Sequence, residues 1–144
     1  MKRILLPVDG SEASGRAVEH VIDMLLLIPP QSRPALHVAN VQQALIPNFN
    51  IVVREQDKAR YYEEAGRPVV DAVDARLNQE NIEHTLHILI GAEISGVIAD
   101  FANQHHCDLI IMGTRGLGTI KGMVLGSVAT KVVHQANCPV LLVK

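Results

Sequence analysis

Residues 113–127 read Gly-Thr-Arg-Gly-Leu-Gly-Thr-Ile-Lys-Gly-Met-Val-Leu-Gly-Ser, and five of the chain's ten glycines fall within them. Glycine reaches positive φ and lets a ligand approach the backbone with no Cβ in the way. Successive amides in such a loop form a concave nest for anions. At the far end, Gly126-Ser127-Val128 opens a helical pattern. The first amides of a helix lack intrahelical acceptors, and its dipole favours negative charge there. The Ser127 hydroxyl adds one more donor. Together these parts supply phosphate binding with little need of a basic side chain. No Gly-Lys-Ser/Thr triplet ends the stretch, and the helix does not open directly after the strand as in a dinucleotide fingerprint. A plain glycine-rich linker is the alternative reading of the same composition.

Other residues could serve the same chemistry. Asp9 follows an apolar run and stands where a ligand crevice would open; its structural alternative is to cap the next helix. Arg115 lies inside the glycine stretch and could reach a terminal phosphate; Lys121 has a weaker case, and a solvated loop charge is the alternative for both. The seven histidines do not point to a metal centre. His84 and His87 are three apart beside a strand and face opposite sides, and consecutive His105, His106 and Cys107 suit a helix end better than one ion. Cys107 and Cys138 precede two strands as small hydrophobes, without a Cys-x-x-Cys spacing. A Ser11, His134, Asp9 triad can be written down, but no Gly-x-Ser-x-Gly elbow supports it.

The elements that must position these residues alternate regularly. Strands are expected at residues 4–8, 35–41, 85–90, 109–112 and 139–143. Ala17, Val18, Val21, Met24, Leu25 and Ile28 recur at helical spacing and stop at Pro29-Pro30. Residues 44–53 read as a loop. Residues 55–80 read mostly as helix that Gly66 and Pro68 should kink or split, and Ile94, Val97, Ile98, Phe101 and Ala102 mark another. Such alternation implies right-handed crossovers, a parallel sheet and helices on both faces. Ligands bind such sheets beyond the carboxyl ends of the strands, where strand order reverses.

Composition limits the function classes. At 144 residues, the chain suits one domain spanning 1–144. With 48% hydrophobic and only 3% aromatic residues, its core is aliphatic, as buried parallel strands require. A net charge of −2 without a basic block argues against nucleic acid. No apolar run is long enough to span a membrane. The start reads as a strand rather than a signal peptide, so the cytoplasm is the default location.

Gly113-x-x-Gly116, nine residues and then Gly126-Ser127 resembles the nucleotide-binding motif of the ATP-binding universal stress proteins. Residues 4–11, Leu36-His37-Val38, residues 107–113, Gly126-Ser127-Val128-Ala129 and residues 138–143 resemble other stretches of that family. The likeness runs the length of the chain and is weakest over residues 42–81. It implies a doubly wound α/β fold with a five-stranded parallel sheet in the order 3-2-1-4-5, usually in a homodimer. It places adenine near Pro7, Val8 and the backbone of Val38. Asp9 would sit by the ribose and phosphates, with Met112 and Gly113 on the ribose side. Gly116, Gly126, Ser127 and Val128 would hold the phosphates through amides and the Ser127 hydroxyl. Mg2+ or Mn2+, if present, would ride on the phosphates near Asp9.

The favoured function is thus a regulatory module that binds ATP, with ADP and AMP as alternatives, and switches a protein partner. The rival is a slow ATPase or phosphoryl-transfer enzyme in the same pocket, although the sequence offers Asp9 and little else as a catalytic group. A structural dimer with an empty pocket is the third reading.

Overall fold

The computed structural model describes residues 1–44, 54–117 and 125–144, the side chain of Glu55 excepted. Strand β1 (Arg3–Pro7) leads to helix α1 (Glu12–Leu26), a short 3-10 turn (Pro30–Ser32) and β2 (Ala35–Gln43). Helix α2 (Glu55–Gln79) precedes β3 (His84–Gly91), α3 (Ile94–Gln104), β4 (Leu109–Gly113), α4 (Ser127–Gln135) and β5 (Val140–Val143). The five strands form one sheet in the order β3-β2-β1-β4-β5, and every neighbouring pair is parallel. This is the doubly wound α/β arrangement expected from the alternation of strands and helices.

Both faces of the sheet are covered, which is why its strands read as continuous apolar runs. Ile4, Leu6, Leu36, Val38 and Ile111 pack with Ala17, Val21 and Leu25 of α1 and Leu77 of α2. Leu5, Ala39, Ile110 and Met112 pack on the other face with Ile98, Phe101 and Ala102 of α3 and Ala129 and Val132 of α4. Burying one such side chain is worth about 2 kcal/mol.

Local details depart from the sequence pattern for physical reasons. Helix α1 ends at Leu26 rather than Ile28, and the Arg33 guanidinium donates to the Leu25 and Ile28 carbonyls at 3.0 and 3.2 Å. Helix α2 is not split at Gly66 or Pro68. Buried Tyr62, Val70 and Leu77 lie on both sides of the proline and bind the helix to the protein, so packing overrides local propensity. Strand β2 runs two residues beyond Val41, paired through Gln43↔Gly91. The expected loop at residues 45–53 lies outside the described residues. Among the described residues, no helix is long and apolar enough to cross a membrane.

Candidate functional site

The strand order reverses between β1 and β4, whose carboxyl ends lie side by side. The turn after β1 is tightly organised. Asp9 Oδ1 accepts the Ser11 N–H at 2.9 Å, and the Asp9 N–H donates to Ser14 Oγ at 3.3 Å. Ser11, not Asp9, caps α1: its Oγ accepts the Ser14 N–H at 3.2 Å. The same hydroxyl donates to the Arg115 carbonyl at 3.3 Å, which ties the start of α1 to the segment after β4. The Asp9 carboxylate is thereby set beside that segment. A Cβ built on Gly116 would lie 2.7 Å from Asp9 Oδ2.

Gly113 ends β4 against the first turn of α1. A Cβ there would come within 2.6 Å of the Ala13 carbonyl carbon and 2.7 Å of its oxygen. Only glycine lets these two backbones approach so closely. The Thr114 N–H donates to the Val143 carbonyl at 2.9 Å, and the Gly126 N–H donates to the Thr114 carbonyl at 2.7 Å. The glycine-rich stretch thus leaves and returns at one point. This corrects one expected role: the Gly126 amide is taken by Thr114, so it is not the group offered to a phosphate. The offered donors lie one step on. The Thr130 N–H donates to the Gly126 carbonyl at 3.0 Å, so the amides of Ser127, Val128 and Ala129 precede the helix's own bonding.

These segments enclose a cavity of about 750 Å³, within the usual range for a small-molecule site. Pro7, Val8 and Asp9 line it from β1; Met112, Gly113, Arg115 and Gly116 from β4 and beyond; and Gly126, Ser127 and Val128 from the start of α4. Val38 does not line it. This side chain is fully buried, paired with Leu6 one step below the rim, and belongs to the core. The residues of β2 that reach the cavity are Ala39 to Gln43. The sequence pattern ends this strand at Val41, before Gln42 and Gln43, and gives no sign that Ala39, Asn40 and Val41 within it reach a cavity. Nor does it single out Ser14 of α1, Ala65 and Val69 of α2 or Ile94 and Ile98 of α3, which line the cavity too. A serine in the first turn of α1 was the one readable signal. Lys121 lies outside the described residues.

Among the described lining residues, Asp9 is the single carboxylate and Arg115 the single basic side chain. Among the described residues, no cluster of three or more His, Cys, Asp or Glu side chains is arranged to hold a metal ion. His84 and His87 do face opposite sides: His84 Nε2 meets Asp74 of α2 at 2.9 Å, whereas His87 packs on Phe101 of α3. His134 stands in the last turn of α4, about 8 Å along the helix from Ala129 at the cavity, and forms no triad there. Cys107 and Cys138 are free thiols, and burial pushes both above the ordinary thiol range, the opposite of what redox work requires.

The fold is a doubly wound parallel α/β sheet with a glycine-bordered cavity at its switch point, the place where sheets of this kind bind ligands. The whole chain, residues 1–144, matches the profile of the universal stress protein family, and it belongs to that family. Universal stress protein Sll1654 of Synechocystis is 31% identical over 142 residues, with 99% of this chain and 85% of that protein covered. Universal stress protein MJ0531 of Methanocaldococcus jannaschii is 28% identical over 147 residues, covering 99% and 82%. Among solved structures, UspA from Lactobacillus plantarum shares the fold with a TM-score of 0.81 at 22% identity, covering 99% of this chain and 97% of that one. More distant structures of the same fold hold nucleotides: the Arabidopsis thaliana family member has AMP bound, and an Archaeoglobus fulgidus member is in complex with dAMP.

Proposed function

We propose that this chain binds an adenine nucleotide, ATP first and ADP or AMP as alternatives, and acts as a nucleotide-dependent regulatory module. The observation that carries this reading is the convergence of Asp9, Gly113, Gly116 and the opening of α4 on one cavity at the switch point. Pro7, Val8 and the end of β2 would take the base. Asp9, Met112 and Gly113 would flank the ribose. Gly116, Ser127 and Val128 would hold the phosphates, with Arg115 at the outermost one. The adenine nucleotides held by two structures of the same fold support the ligand class.

Mg2+ or Mn2+ fits this site only as a companion of the phosphates. Asp9, the single described carboxylate there, could supply one oxygen ligand, and hard divalent cations take several. The same scarcity argues against efficient phosphoryl transfer, which needs a placed base and dedicated metal ligands. A slow ATPase would still use Asp9. Phosphate release far below ~10 per second is expected, and faster release lost in Asp9→Asn would move the protein to the enzyme class. Mass spectrometry of small molecules freed from denatured, freshly purified protein tests the main reading. An adenine nucleotide is expected; none there, and none bound on titration, would leave only the structural-dimer reading.

The same proposal places the protein in the cytoplasm as one domain that pairs with a second copy. Strand β5 ends the sheet, and Leu141 on it is 37% exposed. An uncovered apolar edge either aggregates or is paired. Light scattering should give a dimer at tens of micromolar (~10⁻⁵ M, where a specific interface holds), and Leu142→Pro should weaken it.

A further inference from the structure

The base-facing end of the cavity holds two amides that the phosphate chemistry does not use. The Asn40 side chain donates through Nδ2 to the Val8 carbonyl at 2.8 Å, and its Oδ1 accepts Gln42 Nε2 at 2.6 Å. Asn40 is 3% exposed, and both residues line the cavity. A backbone carbonyl only accepts, so Asn40 must turn its nitrogen to Val8 and its oxygen to Gln42. Gln42 must then turn its nitrogen to Asn40. Neither amide can flip without setting oxygen against oxygen. Gly66 of α2 closes over this relay: a Cβ there would lie 2.8 Å from Asn40 Oδ1 and 2.9 Å from Ile88 Cγ2. The glycine that should have weakened α2 lets the helix seal a buried polar pair instead.

Gln42 therefore stands at the cavity wall with its amide orientation fixed from behind. Its remaining N–H and its Oε1 are presented in one order. Strands β2 and β4 flank β1 on opposite sides, so their ends are about 10 Å apart, the reach of a ribose between base and phosphate. The surroundings suit a flat uncharged ring: Ala65 and Val69 of α2 line the cavity on the face of the sheet that carries Asn40 and Gln42, and Ala39 and Val41 of β2 line it from the other face. Adenine offers an amino donor beside a ring-nitrogen acceptor, the pattern an amide pairs in bidentate fashion. Guanine offers the reverse order, an acceptor beside an N–H donor. An amide free to flip would serve both; a locked one serves one.

We infer that Gln42 determines base specificity in this cavity, selecting adenine over guanine nucleotides, and that Asn40 is the positioning residue that keeps its amide from flipping. This rests on the adenine-nucleotide reading above. The test is calorimetric titration of the full chain with ATP and with GTP, for the wild type, Gln42→Leu and Asn40→Ser. The wild type should prefer ATP by at least about tenfold. Gln42→Leu should bring that ratio close to one, since the phosphate contacts are common to both ligands. Asn40→Ser, which keeps Gln42 but shortens the arm that orients it, should also lower the ratio. Merely structural damage would weaken both nucleotides alike and leave the ratio unchanged. If either variant fails to fold, Gln42→Glu, which keeps the shape and the acceptor but removes both donors, should lower the ratio in its place. A wild type that binds both nucleotides equally, or folded variants with the wild-type ratio, would overturn the inference alone. A wild type that binds neither would overturn the adenine reading with it.

Discussion

At the carboxyl ends of β1 and β4 the chain turns outward around a cavity, and its polar groups are bound to backbone in ways that keep the opening in shape. At the amino ends of β2 and β3 the polar groups turn on one another. His37 Nδ1 and His87 Nε2 share a hydrogen bond at 3.1 Å, and both rings pack on Phe101, which stacks on His105 with centroids 4.0 Å apart. Beside them the Asp108 carboxylate accepts the Lys2 and Arg3 amides at 2.5 and 2.8 Å and joins the start of β1 to that of β4. One end of the sheet is built to leave room and the other to fill it. Glycines make the first possible, and rings make the second.

The sharpest break of this contrast is Gly113→Val. A side chain there meets the backbone of Ala13 and Ser14, whose atoms lie 2.6 to 2.9 Å from its Cβ, and backbone cannot swing away as a side chain can. A loss of about 3 kcal/mol in folding stability is expected, measured by denaturant unfolding, with nucleotide binding lost as well. Stability within error of the wild type would show that the carboxyl end has slack the geometry does not suggest.

Gly126→Val separates closeness from function. Its Cβ would stand 3.3 Å from the Thr114 carbonyl oxygen and 3.4 Å from Arg115 Cα, tight but tolerable, so the fold should survive. The branched side chain would crowd the phosphate end, and ATP affinity should fall at least tenfold, about 1.4 kcal/mol. Unchanged affinity by calorimetry in the folded variant would remove the phosphates from this place.

The smallest effect belongs to the amino end. Burial holds the His37 and His87 imidazoles below the ordinary histidine range, and repulsion adds to it, from His105 and Arg3 on His37 and from His37 and His105 on His87. The folded protein then binds fewer protons than the unfolded chain. Stability from this pair is fully present above about pH 6.5 and is lost as the pH falls through the lowered folded values. Both rings are partly exposed, so the loss should be modest. Urea midpoints at pH 7.5 and 5.5 should differ more in the wild type than in His37→Phe. Equal differences would mean that acid acts elsewhere.

Much of this was legible in the sequence. The period of the apolar residues located five strands and four helices, and the glycine spacing with Asp9 marked the carboxyl-end cavity, because a strand, its turn and the next helix are adjacent in the chain. What failed to show was non-local. The backbone of Val38 is placed beside adenine by the family resemblance alone, and no local pattern shows how far β2 continues beyond it. The rim lies further on, at Ala39 to Gln43, where pairing with β3 extends the strand past its apolar part. Pro68 and Gly66 looked like breaks in α2 because their cost is local, whereas the packing that offsets it comes from residues far away in sequence.

The sequence by itself determined the layering of helices on a parallel sheet and the segments bordering the cavity, since periodicity and glycine content act within a few residues. Only the tertiary structure decided that the Gly126 amide is committed to Thr114, that Asn40 locks Gln42, and that three histidines meet around one phenylalanine. The first and last of these join residues far apart in the chain, and the second sets side-chain directions by strand register: a one-residue shift in the register of β2 would have turned Asn40, Gln42 and His37 to the other face.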